Sequence, residues 1–318
     1  MSGVAASEAD EGSAIAAAVR ALRTARDDWR AGHPSEEARS FPSRPALERV
    51  VETLAAALFP RRLGQYRGGA GDEDGFVAAK LLAAAGELER EIGAELAYWQ
   101  AEARSGTFDP GQAAAIVRLF LATLGEVRRL IDSDVAAAFL GDPAARSADE
   151  ILVCYPGAIA SLHHRIAHPL YQLGAPITAR LISEIANERT GVDIHPGATI
   201  GAHFFIDHGT GVVIGETAIV GERVRLYQHV TLGARTPLCD ALDRPRERYA
   251  RHPIVEDDVV IYAGATILGR VTIGRGAMIG GNVWLLEDVP PGRTVAQPVA
   301  RVLAPADGER WRDGLAGD

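Results

Sequence analysis

Two rhythms of apolar residues divide the chain near Gly191. Before it, apolar residues recur three and four apart among Ala, Leu, Arg and Glu, the spacing that lines one face of an α-helix. Residues 76–103, 111–131 and 148–173 are the clearest runs. Turn signals separate them: His33-Pro34-Ser35, the glycine-rich 69–75, Asp109-Pro110 and Gly141-Asp142-Pro143. Pro42 and Pro45 mark a bend between helices, and the small, acidic first dozen residues predict a loose start. Residues 1–190 are therefore expected to form an all-helical domain, a half that carries no chemistry by itself.

After Gly191 a period of six takes over. Ile194, Ile200, Ile206 and Val212 keep that step; the phase then jumps by two, and Ile214, Val220, Leu226 and Leu232 resume it. Val255, Ile261, Ile267, Ile273, Ile279 and Leu285 form the longest run. Neither a helix nor an alternating strand has this period. A prism of stacked parallel strands does, with one inward aliphatic per face and small residues or Gly at the corners. Each coil buries the last, so units that could not stand alone build a continuous core. The domain expected over 191–300 is interrupted at 234–251, a stretch too charged and too long for a coil, which should leave the prism as a loop of the kind that carries function. Pro290-Pro291-Gly292 closes the prism, and 301–318 is read as a polar tail.

Bulk properties remove several classes. In 318 residues the net charge is -9, which argues against a nucleic-acid backbone as partner. The two cysteines, Cys154 and Cys239, have no metal-ligand spacing, fit a reducing cytoplasm and lie outside the motifs below, so no covalent acyl-enzyme is expected. No stretch is apolar and long enough for a membrane span, and the N-terminus has no signal-peptide pattern.

The segments Val192-Asp193-Ile194-His195-Pro196-Gly197, Ile206-Asp207-His208-Gly209-Thr210-Gly211 and Ile214-Gly215-Glu216-Thr217 carry a family resemblance. With Val230-Thr231-Leu232-Gly233, Arg251-His252-Pro253 and the run Tyr262 to Gly269, they resemble the serine O-acetyltransferases of cysteine biosynthesis. Upstream, Tyr155-Pro156-Gly157 and the stretch His164 to His168 resemble that family's helical domain, so the likeness covers residues 140–300. It implies an α+β fold, helices followed by a left-handed parallel β-helix, and transfer of acetyl from acetyl-CoA to the L-serine hydroxyl. It also implies inhibition by L-cysteine at the serine site, and a homotrimer or dimer of trimers with sites between subunits.

A hydroxyl is a poor nucleophile at neutral pH, and a histidine base contributes about 10² to 10⁴-fold. The resemblance places His208 in that role and Asp193 behind it, where a carboxylate would fix the imidazole and stabilise its cation. Read without the resemblance, His208 is equally a surface corner residue. Arg251 is the fork for the serine carboxylate, with His252 adding a donor. The neighbouring Arg244, Arg246 and Arg248 read as solvated loop residues. Asp207 and Asp142 would hold the ammonium, although an Asp before Pro also reads as a helix N-cap. Acetyl-CoA would contact Gly233, Ala263 and Gly281, where small side chains allow close approach and corner geometry asks for the same. No metal is expected.

Three departures stand out. Met278 replaces a lysine that could meet the CoA phosphates, leaving Arg275 or Arg293 as substitutes; His229, beside Gln228, stands where a small residue is expected; and the end Leu315-Ala316-Gly317-Asp318 lacks the isoleucine by which relatives dock into cysteine synthase, which puts that complex in question. Two rival activities fit the scaffold. One is acyl transfer to homoserine, a sugar or an amine, which would change the carboxylate clamp at Arg251. The other is a zinc hydratase of carbonic anhydrase type, drawing on His203 and His208 with His229 or His195, which leaves Asp193, Asp207 and Arg251 without roles. A noncatalytic scaffold would not need this cluster of ionisable groups.

Overall fold

A computed structural model describes residues 2–33, 41–103, 109, 111–235 and 249–298. Seven α-helices precede fourteen short strands among them. The helices are α1 (Ser2–Gly32), α2 (Arg44–Leu58), α3 (Glu73–Ala103), α4 (Gln112–Gly141), α5 (Ala148–Cys154), α6 (Pro156–Gln172) and α7 (Pro176–Thr190). α1 begins at Ser2, within the stretch that composition leaves loose, and its described large apolar side chains, Ile15, Val19, Leu22 and Trp29, are exposed. Leu47, Leu54, Leu88, Ile92, Phe120, Ile131, Ile166 and Ile182 are fully buried and form the centre of one core shared by α2, α3, α4, α6 and α7.

The apolar run 148–173 is not one helix but two. Pro156 disfavours the α region for the residue before it, and Tyr155 is extended at φ -80°, ψ 125°. Pro156 then opens α6, where its missing N–H costs nothing. Gly157 lets this start press on the prism: a Cβ there would lie 2.2 Å from the Ile206 carbonyl oxygen.

The strands form three parallel ladders, one per face of the prism. Face one stacks β1 (Asp193–Ile194), β4 (Val213–Ile214), β7 (Thr231–Gly233), β10 (Thr266–Leu268) and β13 (Trp284–Leu285). Face two stacks β2 (Thr199–Ile200), β5 (Ile219–Val220), β8 (Ile254–Val255) and β11 (Thr272–Ile273). Face three stacks β3 (Phe205–Ile206), β6 (Arg225–Leu226), β9 (Val260–Ile261), β12 (Met278–Ile279) and β14 (Thr294–Val295). The period-six aliphatics point inward, and from Ile194 to Ile279 they are buried in one column. On face one, Val213 pairs with Thr231 and Thr266 with Trp284, steps of 18 residues, whereas Thr231 pairs with Thr266, a step of 35. The excess is the segment around 234–251, which leaves between faces one and two; most of it lies outside the described residues, as does 301–318.

The helical domain is tied to the prism by a buried ion pair. Arg165 donates to both carboxylate oxygens of Asp134, at 3.0 and 3.1 Å, and to the carbonyls of Ile200 and Gly201. Asp134 also accepts from Ser161 and, at 2.9 Å, from the amide of Phe204. Both side chains are almost wholly buried; burial pushes the Asp134 carboxyl up, and the hydrogen bonds from Arg165, Ser161 and Phe204 offset part of that cost.

Candidate active site

The phase jump by two marks the first feature. On face three Phe205 pairs with Arg225, a step of 20 residues rather than 18, so the first coil carries two extra residues. They widen the corner between faces three and one into the turn Asp207–Gly211. Its ends are pinned by Gly209 N–H to Asp207 C=O and Gly211 N–H to Gly191 C=O, both 2.8 Å. His208 sits inside with φ +60°, a left-handed conformation uncommon for a residue with a Cβ. Its side chain is 72% exposed, with Nε2 3.9 Å from Asp207 Oδ1. The corner residues His203, Arg223, His229, Asp258 and Asn282 share this conformation, so it belongs to the corners of the prism; what marks His208 is the wide turn around it and the exposure of its ring.

Two carboxylates converge on this turn. Asp207 is held by the Arg225 guanidinium, which lies against the rings of Phe205 and Tyr227 at 4.8 and 4.7 Å. Asp142 accepts the Tyr155 hydroxyl at 2.6 Å and the Ala144 amide at 2.8 Å. These two hydrogen bonds hold its carboxyl below the usual range, and Tyr155 is pushed up to about 12, so the phenol stays a donor. Asp142 is not a helix N-cap: it follows the last residue of α4, in extended conformation, and Ser147 caps α5 instead. Asp193, on β1, has Arg180 of α7 as its ion-pair partner at 3.4 Å, and its Oδ1 is buried with no hydrogen bond. Among the described contacts none joins Asp193 to His208.

The second group lies on the edge between faces one and two. Thr217 receives the chain as it returns from the long loop: its Oγ accepts the amides of Arg251 and His252 at 2.9 and 3.1 Å. Its own amide donates to His252 Nδ1 at 3.0 Å, which leaves the ring proton on Nε2. The imidazole lies flat on the backbone of Gly215, where a Cβ would be 2.0 Å from the ring. Arg251 donates to Glu216 at 2.6 Å, and Tyr171 donates to the other Glu216 oxygen at 2.7 Å. Burial pushes the Glu216 carboxyl up, but these two donors override it and keep it ionised. Burial, with the charge of Arg251, depresses His252 to about 4; burial, with the charge of Arg180, does the same to His195. Both rings are neutral at pH 7.

The chain therefore brings Asp142, Asp207 and His208 together, and Arg251 with His252, but puts the two groups on different edges. The proposed CoA positions divide the same way. Ala263 and Gly281 stack on the His208 edge, where Asn282 N–H bonds the Ala263 carbonyl at 2.9 Å; Gly233 ends β7 on the other edge, its carbonyl bonded by Gly269 N–H at 2.9 Å. His203 sits between faces two and three and His195 between one and two, so neither joins His208. Among the described residues no three His, Cys, Asp or Glu side chains gather as a metal site. His229 covers Gly211, with which it is stacked in the corner column, at φ +58°. Arg275 is committed to Asp257 at 3.1 Å, while the exposed Arg293 pairs through its backbone with Met278. Arg225, Arg180 and Tyr171 carry no motif and escape sequence reasoning; Tyr155, Glu216 and Thr217 stand inside recognisable motifs without a role legible there.

A helical domain on a three-faced prism of six-residue repeats, with ionisable groups at its edges, defines a hexapeptide-repeat transferase. Residues 252–286 match the bacterial transferase hexapeptide (six repeats) family. The chain is 48% identical over 273 residues to the plasmid serine acetyltransferase of Synechococcus elongatus, covering 84% of this chain and 85% of that one. It is 47% identical to the serine acetyltransferase of Bacillus licheniformis over 59% of this chain and 82% of that one. Among solved structures, serine acetyltransferase 1 of Entamoeba histolytica in complex with L-cysteine aligns with TM-score 0.68 and 34% identity, over 84% of this chain and 92% of that one. Soybean serine acetyltransferase complexed with serine aligns with TM-score 0.51 and 31% identity, over 80% of this chain and 97% of that one. The chain belongs to the serine acetyltransferase family, with that family's helical domain and left-handed parallel β-helix.

Proposed function

We propose that the protein transfers acetyl from acetyl-CoA to L-serine at a site completed between two copies of the chain. The observation that carries this reading is the division of the site residues between two prism edges in a chain of this family. His208, Asp207 and Asp142 of one copy face Arg251 and His252 of the next. His208 takes the proton as serine Oγ attacks the acetyl carbon; the C–S bond breaks, and the proton passes on to the CoA thiolate. Asp193, whose buried Oδ1 has no hydrogen bond, supports the imidazolium; Arg180 offsets part of its charge. Asp142 and Asp207 hold the ammonium, and Arg251, pre-aimed by Glu216, forks the carboxylate with His252 Nε2–H beside it. Acetyl-CoA runs past Ala263 and Gly281 on one copy and Gly233 on the next, its phosphates nearest Arg293. Prisms pair edge to edge as a trimer, and the helical domain joins trimers into a hexamer.

L-cysteine, which keeps the ammonium and carboxylate of serine, competes for the same clamp. The cysteine usage fits a cytoplasmic enzyme. The test is thiol release from acetyl-CoA with L-serine, L-homoserine or no acceptor, for the wild type and His208→Ala. Serine-dependent release lost in the variant is the expected result; release with homoserine alone discards the serine assignment, and no release from folded protein discards the acyltransfer reading.

A further inference from the structure

Arg225 opens β6 on face three and reaches the wide turn of His208, where it donates to Asp207. Its guanidinium lies against two rings, Phe205 on the coil before and Tyr227 two residues along its own coil, at 4.8 and 4.7 Å. Tyr227 is backed by Tyr262 of the next coil, ring on ring at 5.1 Å and 10°. The helical domain closes in from another side. A Cβ on Gly141, the last residue of α4, would lie 2.9 Å from the Phe205 ring and 3.6 Å from Arg225 Nη1. The last turn of α4 holds no basic residue, and Arg225 supplies from the prism a cation at the negative end of that helix. Held by two rings and a carboxylate, the half-buried guanidinium is fixed in place.

This sets the charge at the turn. Asp193 has Arg180 as its counterion, and Glu216 has Arg251. At the His208 turn two carboxylates share one guanidinium: Asp207 is ion-paired with Arg225, while Asp142 accepts from the neutral Tyr155 hydroxyl and Ala144 amide. We infer that Arg225 is a specificity-determining residue of the acceptor site: it leaves the turn a single unmatched carboxylate, so that an acceptor with one ammonium beside a hydroxyl is taken and one with a second ammonium in place of the hydroxyl is turned away. The inference rests on the serine reading above and gives a reason for hydroxyl over amine on the same scaffold. Without Arg225 the two carboxylates could receive two ammonium groups. With it, the second ammonium stands within a few ångströms of a fixed like charge, which at the effective dielectric of a partly exposed site costs at least about tenfold in affinity.

The probe is L-2,3-diaminopropionate, which is serine with an ammonium in place of the hydroxyl. Its affinity for the full chain is compared with that of L-serine at neutral pH by ligand-observed saturation-transfer NMR, which reads millimolar binding without turnover. The wild type is expected to hold serine at least about tenfold more tightly. Arg225→Met keeps an apolar stem between the rings and removes the charge, and should bring the two ligands within about twofold of each other. Arg225→Lys keeps the charge without the fork and should retain most of the preference. Equal affinities in the wild type overturn the proposal. So does a preference that survives in Arg225→Met, or one lost alike in the Met and Lys variants, which would mark Arg225 as structural support. If Arg225→Met does not fold, Arg225→Gln takes its place. A wild type that binds no serine overturns the serine reading itself, whereas serine bound no better than diaminopropionate overturns the charge argument alone.

Discussion

Two inactive variants should restore each other. In one chain the His208 turn joins face three to face one, whereas Arg251 and His252 enter face two from face one. A face holds six residues at about 3.3 Å each, so the edges stand roughly 15–20 Å apart, several times the length of a serine. Arg251 is moreover turned toward Glu216 on its own edge. No serine can touch both groups of one copy. His208→Ala and Arg251→Ala each remove one half of every site in a homo-oligomer. When the two are co-expressed and mix at random in a closed ring, an interface is intact if it joins the good edge of one variant to the good edge of the other. That is the case for about one interface in four, so thiol release should return to about a quarter of wild type. The assay is serine-dependent thiol release from oligomers purified through a different tag on each variant, beside each variant alone. Mixed oligomers no more active than the sum of the separate variants would refute the two-edge site.

Four further outcomes follow from the structure. His195 and His252 are held near pH 4 in the folded chain against about 6.5 unfolded, so the unfolded chain binds more protons between those values. Their stabilisation is complete above about pH 6.5 and is lost as pH falls toward 4, on the order of 1 kcal/mol apiece once solvent screening is allowed for; urea titrations at pH 7.5 and pH 5 should show the loss, reduced in His252→Asn, and a flat profile would contradict it. Asp134→Ala leaves the Arg165 charge buried without its counterion and should cost about 3–5 kcal/mol by the same titration. Gly157→Ala drives a Cβ to 2.2 Å from the Ile206 carbonyl, a clash with backbone that should cost about 1–3 kcal/mol, whereas Gly12→Ala, with nothing nearby, should cost nothing measurable. Tyr155→Phe removes the shortest bond to Asp142 and should raise the KM for serine about threefold to tenfold with little change in the KM for acetyl-CoA; an unchanged serine KM would take Asp142 out of the ammonium site.

How far the sequence discloses this molecule depends on the range of the interaction. The prism is legible because its core obeys a strict short period: every aliphatic at a step of six from Ile194 to Ile279 is buried. The split at Tyr155 is less legible, since the helical spacing runs through it and only Pro156 signals the break. Partners that meet through tertiary contact are not legible at all. Arg225 reaches Asp207 across one coil, 18 residues away, and Tyr171 reaches Glu216 from another domain, 45 residues away. An arginine on a strand and a tyrosine on an amphipathic helix look the same in sequence whether or not they hold a carboxylate.

The phase jump between Val212 and Ile214 shows where the two kinds of information meet. As a pattern it is a flaw in the repeat, and repeats tolerate flaws at corners. In the structure the same two residues enlarge one corner into the turn that exposes the His208 ring; its φ of +60° is shared by His229 and Asn282 on the same edge of the later 18-residue coils. The longer break, 234–251, leaves from the other edge and returns at Arg251. Both interruptions of the period thus sit at edges of face one, and each delivers one half of the site. A regular prism would give a stable rod without chemistry; the residues that break its period supply the base and the clamp, and only a second copy can bring the two edges within reach of one serine.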